Sequence, residues 1–86
     1  IGLLDRARSQ LERDAVDDAL KTLRTASDRY PSGALEEERR ALLVEVLARS
    51  GDSAAADAEA IQFGRDYPTS PYLGRVCEIA RCVSRP

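Results

Sequence analysis

Apolar residues recur along this chain three and four positions apart, and the stripes they form predict five helices in succession. Leu4, Ala7 and Leu11, joined by Ile1, make one stripe among Asp5, Arg6, Arg8 and Glu12, predicting a short first helix over 2–12. Val16, Ala19, Leu20, Leu23, Ala26 and Tyr30 make the second, with Asp14 expected as N-cap, Asp17 and Asp18 in the first turn, and Pro31 closing the element after Arg29. The third is the longest, from Ala34 to Arg49 or Ser50. It opens on Glu36, Glu37 and Glu38, carries Leu35, Leu42, Leu43, Val46, Leu47 and, extending the face, Val44, and stops at Gly51. Glu36 is placed to pair with Arg39 and Arg40. The fourth begins at Asp52 or Ser53, runs through an alanine-rich stretch with Ala56, Ala60 and Phe63 inward and Ile61 outward, and ends before Tyr67-Pro68. Ser70 as N-cap with Pro71 at the first helical position starts the fifth, whose stripe is Tyr72, Val76, Ile79, Ala80 and Val83.

The helices form a repeat. Asp28-Arg29-Tyr30-Pro31-Ser32-Gly33 and Arg65-Asp66-Tyr67-Pro68-Thr69-Ser70 place Tyr30 and Tyr67 thirty-seven positions apart. Shifted by that period, Leu35, Leu42, Leu43 and Val46 fall on Tyr72, Ile79, Ala80 and Val83. Ala19, Leu23, Ala26 and Tyr30 fall on Ala56, Ala60, Phe63 and Tyr67. A period of this length indicates stacked helix–turn–helix units.

Composition narrows the function classes. Eighty-six residues make one domain (1–86) with a modest core. Thirteen basic and fifteen acidic side chains nearly cancel and are interspersed, so the electrostatic footprint of a nucleic-acid binder is missing. No apolar run approaches the ~20 residues that span a bilayer, so no direct membrane insertion is expected. The chain starts at Ile1 and not Met, which is the expectation for a piece of a longer protein. A chain without histidine has no Ser-His-Asp or Cys-His site of its own and no histidine metal ligand. The expectation is therefore no enzyme, no cofactor and no metal.

Ser50-Gly51-Asp52 followed by Ala56, Ala60, Phe63 and Pro68 resembles a tetratricopeptide repeat (TPR): a glycine turn, small residues at the helix crossing and a closing proline. The resemblance covers nearly the whole chain and implies an all-α, right-handed α-α superhelix of about two and a half repeats. The period is longer than the usual ~34 residues, and Arg40 stands near the place of the usual early aromatic. The first unit departs further, with Asp14 in place of the glycine and helix one slipped by one position. The extended Tyr-Pro turn is similar to that of the bacterial cell-envelope subgroup, which includes outer-membrane assembly lipoproteins and Tol-Pal accessory proteins. What this implies is a non-enzymatic scaffold for a protein or peptide partner, periplasmic or outer-membrane-associated, with a cytoplasmic location as the alternative. A structural spacer or a homodimerising segment, closing Ile79 and Val83 against a copy of itself, is the second reading.

In such repeats the first helices line a concave groove, which here implies Glu38, Glu45, Arg49, Arg75 and Glu78 as partner-binding residues. Arg39 joins them as the one charge inside an apolar stripe. Either it marks function, or its stem packs while the guanidinium reaches water or a carboxylate. Cys77 and Cys82 are separated by four residues, too far apart along an intact helix for a disulfide but not along a frayed one. Free thiols and a bridge capping the C-terminus both stay open.

Overall fold

The computed structural model describes residues 2–33 and 35–81, and among them five α-helices and no strand are present. They are α1 (Leu3–Glu12), α2 (Val16–Arg29), α3 (Glu36–Arg49), α4 (Ser53–Asp66) and α5 (Leu73–Ile79). The expected Ile1, Ala34, Cys82 and Val83 positions lie outside the described residues.

Turns thirty-seven positions apart adopt matching backbone geometry. At the α1–α2 turn Asp14 takes φ 62°, and its counterpart Gly51 takes φ 90°. The next residues, Ala15 (φ −86°, ψ 68°) and Asp52 (φ −91°, ψ 73°), also match. Asp14 thus performs the left-handed step that glycine performs one repeat later, at a steric cost that aspartate bears better than most residues. It is not the N-cap of α2: Ala15 holds that place without a side-chain bond, whereas Asp52 caps α4 by accepting the Ala55 N–H at 3.1 Å. The two closing tyrosines agree within a few degrees, Tyr30 at φ −132°, ψ 68° and Tyr67 at φ −132°, ψ 65°, and each N–H donates to the carbonyl four residues back at 2.8 Å.

Helix α1 pairs with α2, α3 pairs with α4, and α3 touches all four other helices. No Cα atom of α2 lies within 8 Å of one of α4. Two core clusters result. Leu4, Ala7, Leu11, Ala19, Leu23, Leu42 and Val46 form the first, and Val44, Ala60, Phe63 and Val76 the second, with Tyr67, Leu73 and Ile79 packed against it. Because α3 sits between them, its apolar residues face both ways, and Val44 is as central to one cluster as Val46 is to the other. Ala7 occupies in α1 the fully buried place of Val44 in α3, whereas buried Leu4 and Leu11 fall on half-buried Ala41 and Ala48.

Burial departs from the predicted stripes at several places. Tyr30, Leu35 and Tyr72 are exposed (62%, 60% and 37%), since each stands at the Tyr-Pro edge, where the helices part. Ile61 is half-buried, not exposed as its counterpart Arg24 is. Leu43 and Leu47 are half-buried, while Leu42, Val44 and Val46 are the buried residues of α3. Helix α5 begins at Leu73, two residues late, after the Ser70 hydroxyl accepts the Tyr72 N–H at 3.0 Å. It ends at Ile79, because Ala80 turns extended (φ −145°, ψ 167°).

Candidate functional site

The face formed by α1, α3 and α5 carries a ladder of charge. Arg8 of α1 donates to Glu38 of α3, and Arg75 of α5 donates to Glu45 of α3 at 3.3 Å. Residues 38 and 45 are two turns apart on one helix and so share a face. Both pairs span thirty residues, and positions 8 and 38 advanced by one repeat are 45 and 75. The same two positions are bridged in successive repeats with the signs exchanged. Arg49 continues the strip at its far end, its Nη2 donating to the Leu11 carbonyl and the Asp14 carboxylate, both at 3.4 Å.

The structure therefore brings Glu38, Glu45, Arg49 and Arg75 to one face, and it occupies each with a partner from the chain itself. Glu38 and Glu45 are the more covered members, and Arg8, Arg49 and Arg75 the more exposed; the Arg75 side chain is 64% exposed. Glu78 is exposed. The Glu38 carboxylate raises the proton affinity of Arg8, chiefly through their hydrogen bond. Pairs this exposed are worth ~0–1 kcal/mol each.

Arg39 does not belong to that strip. It is buried, 9% exposed, at the place held by fully buried Val76 one repeat later. Its guanidinium reaches no carboxylate among the described residues: Nη2 donates to the Pro31 carbonyl at 3.3 Å, and Nε is buried with no partner. The expected Glu36–Arg39 pair is absent, because Glu36 turns to Arg40 at 3.6 Å. Arg39 lines a concavity of about 680 Å³ at the N-terminal ends of α1 and α3 and the C-terminal end of α2, and a smaller one of about 350 Å³ between α2 and α4.

Two groups of interactions give no signal in the apolar pattern. Arg40 bonds Asp66 at 2.8 Å and lies over the Tyr67 ring at 5.3 Å, while Tyr67 meets Phe63 at 5.2 Å between centroids. The Arg40 hydrogen bond holds the Asp66 carboxyl below its ordinary range. The hydroxyl of buried Thr22 donates to Gln10 Oε1 at 2.7 Å, tying α2 to α1.

Cys77 is disulfide-bonded, and the early end of α5 at Ile79 supplies the fray such a bond requires. Cys82, the only other cysteine of the sequence, lies outside the described residues. Among the described residues, no cluster of three or more Cys, Asp and Glu side chains is placed to hold a metal ion, and no helix is long and apolar enough to cross a membrane. No protein-family model matches this chain, and no curated protein or solved structure matches it either.

Proposed function

We propose that the chain is a TPR-like, right-handed helical stack that acts as a non-enzymatic scaffold, binding an extended peptide or the surface of another protein on its α1–α3–α5 face. Two features support the stack. The first helix of each unit touches the first helix of the next, while the second helices α2 and α4 stand apart, and the turns repeat their dihedral angles at a fixed interval. Neighbour-only packing of this kind is what makes a solenoid.

The observation that carries the binding reading is the alternating ladder Arg8–Glu38 and Glu45–Arg75. Its charges are gathered from three helices onto one face, yet each bridge is solvent-exposed enough that a partner's carboxylate or guanidinium can replace it at little cost. A strip of both signs favours a partner with a matching sequence of charges over one with a uniform field. An envelope location follows only from the similarity of the Tyr-Pro turn to the cell-envelope subgroup, and belongs to the same proposal.

Affinity capture with the domain as bait tests it. Arg75→Ala should lose the partners that the unchanged domain retains, and Arg24→Ala, on the outer face of α2, should keep them. Arg75 is a cleaner probe than Arg49, whose bond to the Leu11 carbonyl also holds the end of α1. Loss with Arg24→Ala and retention with Arg75→Ala would move the binding face to the outer surface. Sedimentation over a range of concentrations separates this reading from the self-association alternative, in which Ile79 would be shared between two copies.

A further inference from the structure

Arg39 poses a problem that the ladder does not solve. An arginine keeps its charge at any ordinary pH, and a buried charge without a counter-ion is strongly unfavourable. Here the guanidinium has one long bond to the Pro31 carbonyl and an unpartnered, buried Nε. Among the described residues, none of its bonds or ion pairs involves a carboxylate.

The surroundings describe what is missing. Arg39, Arg6 and Arg29 all line the 680 Å³ concavity, against the single acid Glu36 among the described lining residues. That acid is already drawn to Arg40. Apart from Thr25 and Ser32, the rest of the wall is apolar and includes Tyr30 and Leu35, two of the largest exposed hydrophobic side chains, with Leu3 beside them. A cavity of this size is in the range of small-ligand sites. A second copy of the chain is a poor occupant, since docking this patch on itself would set its arginines against the same arginines.

We propose that this concavity binds a small amphipathic carboxylate, an acyl chain ending in a carboxylate group, with the anion on Arg39 and the chain along Tyr30, Leu35 and Leu3. The planar guanidinium fork suits a carboxylate, and an apolar wall suits a ligand with one charge at one end. This site lies at the Tyr-Pro edge of the stack and is independent of partner binding along the ladder.

The test is titration of the isotope-labelled domain with decanoate, with decanol as the uncharged control, followed through backbone amide resonances. Decanoate should saturate, moving Leu3, Tyr30 and Leu35, and decanol should bind about ten- to a hundred-fold more weakly, the range for a hydrogen bond to a charged group. Arg39→Gln should weaken decanoate by a similar factor. Should that variant unfold, Tyr30→Ala decides, because the exposed ring can be removed without loss of fold and its removal should lower affinity several-fold. Equal binding of decanol and decanoate, saturating shifts confined to α4 and α5, or undiminished affinity in folded Arg39→Gln or Tyr30→Ala would overturn the proposal. So would tighter binding of a short peptide ending in leucine, or concentration-dependent self-association abolished by Tyr30→Ala.

Discussion

The two Tyr-Pro closures have nearly the same backbone and opposite packing. Tyr67 lies against Phe63, under the Arg40 guanidinium, with Asp66 fixing that guanidinium from beside it. Tyr30 has Ala26 where Tyr67 has Phe63, Leu3 where it has Arg40, and Arg29 where it has Asp66. Among the described residues no ring or guanidinium lies against Tyr30, which is exposed, and a concavity lies beside it. Backbone geometry at a helix end is set locally, by proline and the residue before it. What covers the tyrosine is set by side chains from two helices, and those changed between the copies.

The largest expected effect that sharpens this contrast is at Phe63. It is fully buried, and Phe63→Ala should cost ~3–5 kcal/mol in a urea titration, whereas nothing of comparable size is removable at Ala26. A loss below ~1 kcal/mol would mean that the second closure is as loose as the first. Next come the tyrosines themselves. Tyr67→Ala forfeits a ring pair worth about 0.5–1.5 kcal/mol and a cation–π contact worth about 0.5–1 kcal/mol, and should lower stability by roughly 1–2.5 kcal/mol. Tyr30→Ala should stay within ~0.5 kcal/mol, as surface changes do. Equal losses would break the comparison.

Acid should erase part of the difference. The Asp66 carboxyl titrates below its ordinary range because Arg40 bonds its charged form. Its contribution is therefore present above the unfolded-state value of ~3.9 and is lost as pH falls through the lower folded value. Asp66→Asn should melt below the unchanged domain at neutral pH, and the gap should narrow below about pH 4. A gap independent of pH would remove the Arg40 bond as its cause. The smallest effect concerns the ladder. Arg8→Glu alone should lose up to ~1 kcal/mol, and Arg8→Glu with Glu38→Arg should recover most of it, since the next repeat already carries that order of signs. No recovery in the double variant would show that the two bridges are not equivalent.

Helix positions and turns were legible because each leaves a local mark: Tyr-Pro, Ser-Pro, Gly51 and the three- and four-residue spacing of apolar side chains. Burial was less legible. Helix α3 is apolar on more than one side because it touches four helices, so in the sequence Val44 reads only as an extension of the Leu35, Leu42, Leu43, Val46 and Leu47 face. Exposure of Tyr30, Leu35 and Tyr72 follows from their place at an open edge, which periodicity does not encode. The charges of the α1–α3–α5 face are visible in the sequence as residues, but their mutual pairing is not, because it joins positions thirty apart. Arg39 was recognised as a conflict, although its lack of any carboxylate partner required the packing of α2 and α3 around it.

Native-state hydrogen exchange at two amides tests the unequal closures most directly. The N–H groups of Tyr30 and Tyr67 make hydrogen bonds of the same length, 2.8 Å, to the carbonyls of Ala26 and Phe63. Any difference in protection therefore reports how readily each helix end opens. Slower exchange at Tyr67 than at Tyr30 is the predicted result. Equal rates, or slower exchange at Tyr30, would contradict it.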